Sequence, residues 1–370
     1  MGKRVLVLNA GSSSLKASVL EGDARDAVAR ADVSGAIAAG GEAAAVRRAL
    51  ETLAAQGVET ESVEAVGHRV VHGGDRFVRP TVVDDTVLQA IGELASLAPL
   101  HNPMAARVLR AARSALPRRP HVAVFDTAFH ATLPPEAFVY ALPYEWHSDW
   151  GYRRFGFHGI SVRWAIGRAA ELLGADPAGF GVVVAHLGAG CSVTAVRDGE
   201  SVYTSMGMTP LEGLVMATRA GSVDPGVLVA AQRDHGLDAD AIADTLERRS
   251  GLLGVSGRSG DVRVLIAAEP VDERAALALA LFVRSVAAGI AAAATALPRL
   301  DAVVFTGGIG EHSGELRSRI ARRLGPLGVP ALLSSSQDDD AVLARGTVAA
   351  LRVAAREDVI VARDVRQAIT

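Results

Sequence analysis

A short glycine-containing segment near the N-terminus offers more hydrogen-bond donors than a turn requires. It follows the apolar run Val5–Leu8 and carries Asn9, Gly11, three serines and Lys16 before the apolar pattern resumes. This order predicts a strand, a tight turn and a second strand, that is, a β-hairpin with a polar tip. An amide, three hydroxyls and an ammonium, next to a glycine that lets a ligand approach the main chain, suit a phosphate or a metal-bound phosphate. A turn exposed to solvent is the alternative.

The same pattern returns about half a chain later. The apolar run 182–187 leads into Gly188–Ser192, and an alternating run follows to a turn at Asp198-Gly199. We interpret the two hairpins as the trace of a duplicated α/β domain, each half offering one phosphate-binding turn to a nucleotide cleft between them. A third glycine turn, 306–311, follows a buried strand and precedes a predicted helix over 315–327, a position at which a phosphate or ribose is easily held.

Arg69 stands inside the apolar run 65–72, which ends in Gly73-Gly74. A buried guanidinium is costly unless it meets an anion, so Arg69 is a candidate ligand of a substrate anion. A salt bridge to a carboxylate of the core is the alternative. His68 and His72 have the spacing of a zinc-binding helix, but the glutamate of that motif is absent and Val70-Val71 favours a strand.

Two further polar residues follow apolar segments. Asp126 ends the run 122–125, as acids on the nucleotide side of open α/β sheets do. His158 lies between Phe157 and Gly159, where a histidine satisfied within the core is the common reading and a catalytic one the alternative.

Composition limits the class of protein. The 370 residues are 49% hydrophobic and 21% charged, which predicts two domains with large cores. The net charge of −3, without a basic stripe, argues against a nucleic-acid partner. The single cysteine, Cys191, fits a cytoplasmic protein and a packing role. The apolar tract 275–297 contains Arg284 and much alanine, so it predicts a buried helix and no membrane span.

Other segments complete the expected architecture. Alanine-rich helices are predicted over 46–55 and 105–116, a turn over 174–181, and a polar acidic loop over 334–340. The chain is expected to cross between domains near 127–135, where Pro134-Pro135 interrupts regular structure. Residues 358–362 read as a strand and residues 365–369 as a helix fragment. The predicted domains are residues 1–127 with 359–370, on the acyl and phosphate side, and residues 128–358, which bind nucleotide.

Seven ordered segments together resemble the acetate kinase family, within the superfamily of sugar kinases, Hsp70 and actin. The resemblance spans 5–363 and lies in NAGSSSLK (9–16), GHRVVHGG (67–74), FDTAFHATL (125–133), FGFHG (155–159), HLGAG (186–190), SMGMTPLEGLVMATRAGSVDP (205–225) and FTGGIGE (305–311). It implies two duplicated ribonuclease-H-like, actin-like ATPase domains. It also implies a cytoplasmic homodimer that makes acetyl phosphate and ADP from acetate and MgATP, reversibly and by direct in-line transfer, a step towards acetyl-CoA.

The resemblance also implies roles for individual residues. Arg69 and Arg219 would flank the carboxylate and the transferring phosphoryl group, and His158 would donate a hydrogen bond to the oxygens of that group. Asp126 would be an orienting or a metal-shell carboxylate. Asn9 and Glu357 would hold Mg²⁺ (or Mn²⁺), largely through water, although a solvated charge is the alternative for Glu357. The small apolar acyl pocket would consist of Val71, Leu100, Phe157 and Pro210. The nucleotide would contact Asn9, Ser12, Ser14, Lys16, His186, Leu187, Gly188, Ala189, Gly190, Asp261, Val262, Arg263, Gly308, Ile309, Gly310 and His312.

The departures from the family pattern fall mostly on the nucleotide side. The family usually has an asparagine at the position of Ala189, an aromatic residue at Val262, an asparagine at His312 and an aspartate at Ser222. Two alternatives to an acetate kinase therefore stay open: a propionate or butyrate kinase, and a nucleotide-binding paralogue with altered donor specificity or no turnover. Val71, larger than alanine, favours a two-carbon acid.

Overall fold

The computed structural model describes residues 4–11, 14–35, 41–99, 101–176, 178–334 and 339–370. The strands within these residues are β1 (Arg4–Ala10), β2 (Ser14–Glu21), β3 (Ala29–Ser34), β4 (Val63–Val70), β5 (Thr81–Val82), β6 (His121–Phe125), β7 (Gly181–Leu187), β8 (Cys191–Arg197), β9 (Glu200–Thr204), β10 (Ala302–Thr306), β11 (Ala341–Ala344) and β12 (Ala349–Arg352).

The same residues also form helices. They are α1 (Glu42–Ala54), α2 (Asp85–Glu93), α3 (Asn102–Ala115), α4 (Pro135–Phe138), α5 (Tyr144–Ser148), α6 (Gly159–Leu173), α7 (Pro225–His235), α8 (Ala239–Arg248), α9 (Gly251–Ser256), α10 (Val262–Ala268), α11 (Glu273–Ala294), α12 (Gly307–His312), α13 (Gly314–Arg323) and α14 (Glu357–Ala368). Short 3₁₀ turns occupy Thr60–Ser62, Leu94–Ser96, Ala128–Thr132 and Gly325–Leu327.

The chain divides into two compact units. Unit 1 comprises residues 1–131, 157–164 and 356–370, and unit 2 comprises residues 132–156 and 165–355. The domain limits expected from the sequence differ from this division by giving 128–131, 157–164 and 356–358 to the second domain, and the domain assignment itself stays a prediction.

Each unit contains a six-stranded mixed sheet, and the two sheets have the same topology. The first has the order β3-β2-β1-β4-β6-β5, and the second, read in the same direction, has the order β9-β8-β7-β10-β12-β11. In both, a three-stranded antiparallel meander joins two parallel strands and an antiparallel edge strand. The duplication inferred from the two hairpins is confirmed, because both hairpins are the β1–β2 and β7–β8 pairs of equivalent sheets.

Helices on both faces bury the first sheet. On one face, α1 and α3 contribute Val46, Leu53 and Val108 to the core with β1 and β2. On the other face α14 packs so closely that a Cβ at Gly67 of β4 would lie 2.7 Å from Val361 and Val365. A residue other than glycine at position 67 would push α14 away from the sheet, and with it the first turn of this helix.

Two local predictions are wrong. Residues 358–362 are not a strand but part of α14, because their β-branched side chains continue into Val365 and form one buried helical face. The glycine turn over 306–311 is instead the short helix α12, and the helix that follows ends at Arg323, short of 327. The predicted loop over 334–340 lies partly outside the described residues.

The alanine-rich helices are confirmed as α1, α3 and α11. Helix α11 is long and apolar enough to span a membrane by length and composition. Its buried residues, among them Ala275, Leu279, Phe282 and Val286, recur at three- and four-residue intervals. This spacing is that of a helix that buries one face in a protein core.

Candidate active site

Four polar side chains of unit 1 meet at the carboxyl ends of its central strands. Asn9 lies in β1, Arg69 in β4, Asp126 directly after β6, and Glu357 at the first position of α14. Arg69 donates from Nε to Asp126 Oδ1 at 3.1 Å and from NH2 to Asp126 Oδ2 at 2.5 Å. Its NH1 donates to Asn9 Oδ1 at 3.1 Å. The structure thus gathers four residues that are distant in sequence into one charged cluster.

Glu357 completes this cluster. Its Oε2 lies 3.2 Å from Arg69 Nε and accepts a hydrogen bond from Asn9 Nδ2 at 3.3 Å. The side chains of Arg69 and Glu357 are 18% and 19% exposed, whereas that of Asp126 is 1% exposed. Asp126 therefore supports the cluster from within, and an external ligand can reach Arg69, Glu357 and the half-buried Asn9.

Burial governs the electrostatics of the cluster. Burial alone would lower the pKa of Arg69, but Asp126 and Glu357 outweigh it, so the pKa is raised and the guanidinium stays charged. Burial raises the pKa of Asp126 to about 6, against the effect of Arg69 and with that of Glu357. The sequence left a salt bridge to a core carboxylate as the alternative role of Arg69, and the structure contains this bridge, to Asp126. Since the partner is itself a predicted site residue, the salt bridge and an anion-binding role are compatible.

The cluster has the donor set of a magnesium site that keeps its water. Among the described residues no group of three or more His, Cys, Asp or Glu side chains is arranged to hold a metal ion. Mg²⁺ in phosphoryl-transfer sites is usually held by one or two carboxylates together with substrate phosphates and water. Glu357 and the amide of Asn9, at the exposed side of the cluster, fit that pattern.

The segment that carries His158 is fixed against Asp126. The Gly159 N–H donates to the Asp126 carbonyl at 3.0 Å, and a Cβ at Gly159 would lie 2.4 Å from that oxygen. His158 has a φ of 60°, in the left-handed region that non-glycine residues seldom adopt. Such strain persists only where the surroundings impose it. Here the next residue imposes it, because Gly159 begins α6 and is bonded to the Asp126 carbonyl.

The predicted acyl-pocket residues fall in both units. Val71, at the exit of β4, is half-buried, and Phe157 is fully buried, both in unit 1. Pro210 is half-buried in unit 2. Leu100 lies outside the described residues.

Arg219 of unit 2 is a largely buried cation that has no ionic partner among the described residues. Within the part of the chain that the structure describes, no carboxylate lies within ion-pair distance of it, and NH1 is 4.0 Å from the sulfur of Met216. Burial lowers its pKa, against the opposing effects of Glu247 and Cys191. The thiol of Cys191 donates to the Gly188 carbonyl at 3.3 Å, and burial raises its pKa to about 12, as expected for a packing residue. An unpaired, desolvated guanidinium is a strong candidate ligand for an anion.

The second hairpin presents its tip to solvent. Gly188 N–H donates to the Gly190 carbonyl at 3.0 Å, which closes a tight turn, and Ala189 at the tip is exposed. His186 and Leu187 end β7, and the carboxyl end of the neighbouring parallel strand β10 leads into α12, which contains Gly308, Ile309 and Gly310. These predicted nucleotide residues therefore share one edge of the second sheet.

The other residues predicted to bind nucleotide lie on other elements of the two units. Asp261 caps α10 and forms an ion pair of 2.6 Å with Arg263, whereas Val262 is buried at 5% exposure. His312 is exposed, 4.0 Å from Glu311. In unit 1, Lys16 lies opposite Asn9 in the β1–β2 ladder, and Ser14 begins β2. Ser12 lies outside the described residues.

Sequence reasoning missed three buried polar residues that hold the site segments together. Asn102 bonds the main chain of His72, the Thr127 hydroxyl accepts from Gly73 N–H at 2.9 Å, and His130 Nε2 lies 2.9 Å from the Phe157 carbonyl. Their partners are main-chain groups far along the chain. The only feature of the sequence that could have indicated these residues is that each is a polar residue next to a predicted site segment.

Comparison with known proteins identifies the family. Residues 4–363 match the model of the Acetokinase family.

The chain belongs to the acetokinase family.

Similar proteins agree with this assignment. The acetate kinase of Deinococcus deserti is 44% identical over 392 aligned positions, which cover 98% of this chain and 97% of that protein. The propionate kinase of Klebsiella pneumoniae is also 44% identical, over 91% of this chain and 88% of its own. The crystal structure of Porphyromonas gingivalis acetate kinase superposes with a TM-score of 0.89 at 34% identity and covers both chains fully. The protein is thus a phosphotransferase with the duplicated α/β fold of this family.

Proposed function

We propose that this acetokinase-family enzyme transfers the γ-phosphoryl group of ATP to acetate, reversibly, to give acetyl phosphate and ADP. An oxygen of the acetate carboxylate forms the new bond to phosphorus while the bond from phosphorus to the leaving ADP oxygen breaks. Acetate is ionised near neutral pH, so the reaction needs no strong base. Catalysis then consists mainly of positioning and charge neutralisation.

The observation that carries the proposal is the contrast between the two arginines. Arg69 is held in a fixed orientation by Asp126 and Asn9, and Arg219 is desolvated without a carboxylate partner in the described chain. Two guanidiniums suit a phosphoryl group whose charge spreads over several oxygens. Arg69 would orient the acetate carboxylate and Arg219 would stabilise the transferring group, with His158 donating a hydrogen bond to its oxygens.

The nucleotide and its metal would use the remaining predicted residues. Asn9 and Glu357 would hold Mg²⁺ (or Mn²⁺) through water, and Asp126 would keep Arg69 in place beside them. When bound, the ion neutralises charge on the phosphate oxygens. The Gly188–Gly190 turn and α12 would contact ATP, together with the Asn9–Lys16 hairpin.

A propionate kinase is the second candidate, because a propionate kinase and an acetate kinase are both 44% identical to this chain. Overall identity therefore does not separate the two substrates. The size of Val71 favours acetate as the substrate, since valine leaves less room than alanine would for a third carbon. One methylene changes the transition-state free energy by about 1–3 kcal/mol, so propionate should be a poorer substrate.

A hydroxylamine assay tests the proposal. The enzyme is incubated with acetate, MgATP and hydroxylamine, and the acyl hydroxamate that forms from an acyl phosphate is measured, with propionate and butyrate in parallel. Hydroxamate from acetate above that from propionate supports the proposal. Nucleotide binding without any hydroxamate would favour the paralogue that has lost turnover, and a preference for propionate would favour the second candidate.

We further propose that two copies of this chain associate through α7 and α8. Both helices are fully described, and neither has a buried residue. Val227 and Val229 of α7 are 58% and 57% exposed, and Val223 just before it is 43% exposed. Leu211, Pro225 and Leu246 line an open cavity of about 430 Å³ beside them. An apolar helix that its own chain leaves uncovered is typical of an interface, and the family resemblance favours a second copy.

Sedimentation of two valine variants tests this interface. Val229→Asp should convert the dimer to monomer, because it places a charge in an apolar contact. Val271→Asp is the matched control, since Val271 is 90% exposed and lies outside both helices. A wild-type monomer, or a Val229→Asp variant that remains dimeric, would contradict the proposed interface.

We also propose that the enzyme acts in the cytoplasm without a membrane or nucleic-acid partner. The one-sided burial of α11 and the net charge of −3 support this proposal.

A further inference from the structure

We propose that Asn102 determines the acyl preference of the enzyme by fixing the main chain that carries Val71. This inference rests on the phosphoryl transfer to small carboxylates proposed above. Asn102 is a positioning residue, since its recorded contacts are with the main chain of unit 1.

The side chain of Asn102 bonds both main-chain groups of His72, as the main chain of a neighbouring strand would. Its Oδ1 accepts from the His72 N–H at 3.1 Å, and its Nδ2 donates to the His72 carbonyl at 2.9 Å. Strand β4 ends at Val70, so this amide continues the hydrogen bonding past the end of the strand. Asn102 and His72 are both fully buried, so water is not a ready substitute for either bond.

The residues on both sides of Val71 are therefore anchored. The Val70 carbonyl accepts from the Asp126 N–H at 3.0 Å, and His72 is held through both of its main-chain groups. Val71 is a half-buried residue between these two anchors. Its position depends on the end of β6 on one side and on the first residue of α3 on the other.

The anchor also reaches a second predicted pocket residue. The His72 ring packs edge-on against the Phe157 ring, with 5.3 Å between centroids and 74° between planes. His72 Nδ1 accepts from the Gly74 N–H at 2.9 Å, which sets the orientation of that ring. A shift of His72 would move the supports of both Val71 and Phe157.

A solvent-exposed amide with the same hydrogen-bond pattern serves as a control for Asn102. The Gln56 side chain makes the same pair of bonds to Arg30 at the edge strand β3: Oε1 accepts from the Arg30 N–H at 3.1 Å and Nε2 donates to its carbonyl at 2.7 Å. Arg30 belongs to the same sheet as β4, but it adjoins no predicted pocket residue. Loss of this clamp should affect stability without affecting acyl choice.

The experiment measures kcat and KM for acetate, propionate and MgATP in wild type, Asn102→Ala, Asn102→Asp and Gln56→Ala. Asn102→Asp keeps the side-chain volume and the acceptor for the His72 N–H, but replaces the donor to the His72 carbonyl by an acceptor. Both Asn102 variants should lower the acetate-to-propionate ratio of kcat/KM. Asn102→Asp should lower it by about 5- to 10-fold, the effect of one hydrogen bond, and Asn102→Ala by at least as much. The KM for acetate should rise, and the KM for MgATP should not change.

Each outcome is decisive. A ratio that stays at the wild-type value in an active Asn102 variant, or that falls equally in Gln56→Ala, would overturn the inference, since a purely structural role lowers the active fraction without changing the ratio. If Asn102→Ala does not fold, the isosteric Asn102→Asp supplies the same comparison. A wild type that makes no acyl phosphate from either acid would instead refute the proposed function.

Discussion

The guanidinium of Arg69 lies against the carboxylate of Asp126 in a two-bond fork, with Nε 3.1 Å from Oδ1 and NH2 2.5 Å from Oδ2. Because Asp126 is 1% exposed, Arg69 is the neighbour that compensates its buried charge. The same guanidinium is 18% exposed and remains accessible to a substrate anion. Arg69 thus has a structural task besides the chemical one proposed for it, whereas for Arg219 only a chemical task is proposed.

Arg69→Ala should therefore lower both stability and activity. Removal of one partner of a buried ion pair costs about 3–5 kcal/mol, because the other charge is left uncompensated. Urea unfolding at pH 7 measures this loss, and the double variant Arg69→Ala, Asp126→Ala should recover much of it. An unfolding midpoint equal to that of wild type would show that Asp126 does not depend on Arg69.

Arg219→Ala should lower turnover by orders of magnitude with an unfolding midpoint close to that of wild type, since no ion pair is lost in the described chain. Arg219→Lys should restore only part of the activity, because a point charge does not reproduce the planar donors of a guanidinium. Steady-state kinetics and urea unfolding on the same preparations separate the two effects. Near-full activity of Arg219→Lys with unchanged Michaelis constants would contradict a transition-state role.

Val71→Ala should narrow the preference for acetate over propionate. The smaller side chain leaves room for one more methylene, which is worth about 1–3 kcal/mol in the transition state. The ratio of kcat/KM for the two acids measures the change, with the MgATP constants as the control. A wild type that prefers butyrate would refute the two-carbon pocket.

Ala189→Asn should lower the KM for MgATP by about 3- to 10-fold, the effect of one added hydrogen bond to a charged group. Ala189 is exposed at the tip of the turn that Gly188 and Gly190 close, so the longer side chain does not have to displace the core. ATP, GTP and pyrophosphate are compared as donors with acetate held constant. Strict ATP specificity together with no effect of the substitution would show that the donor site compensates for the departures from the family pattern.

The buried pair His68 and His121 should make the protein less stable in acid. Their rings stack with 5.2 Å between centroids, and His68 Nε2 lies 2.9 Å from His121 Nδ1. Burial, and then His121, hold the pKa of His68 well below its usual 6.5, and burial also lowers that of His121. Below pH 6.5 the unfolded chain protonates these histidines, whereas the folded chain keeps them neutral. The free energy of unfolding is therefore unaffected by this pair above pH 6.5 and declines as the pH falls below it.

Urea unfolding between pH 8 and pH 5 measures this decline. Each proton that only the unfolded chain binds lowers the free energy of unfolding by about 1.4 kcal/mol per pH unit below pH 6.5. His68→Gln, which removes one titrating group and keeps a hydrogen-bonding side chain, should therefore show a shallower loss. A slope equal to that of wild type would show that His68 titrates normally in the folded protein.

The sequence predicted the features that depend on local patterns. The β1–β2 and β7–β8 hairpins were readable from apolar runs interrupted by glycine, and Arg69 from a charge inside such a run. Residues 358–362 were misread because β-branched side chains favour a strand locally, whereas burial of one face against the sheet at Gly67 decides for a helix.

Long-range contacts were beyond local reasoning. Asn9 bonds Glu357 across 348 positions, and only the family resemblance suggested that pairing. The bonds between Asn102 and His72 join two segments 30 residues apart through side chain and main chain, which no pattern of residue types specifies.

The central claim is that an oxygen of the acetate carboxylate forms the new bond to phosphorus, and oxygen labelling tests it most directly. Acetate carrying ¹⁸O in both carboxylate oxygens is incubated with enzyme and MgATP, and the product is followed by ³¹P NMR. Attack by the acetate oxygen predicts acetyl phosphate in an amount equal to ADP, with one ¹⁸O bonded to the phosphorus of every product molecule. Acetyl phosphate without ¹⁸O on phosphorus, or ADP formed without acetyl phosphate, would contradict the mechanism.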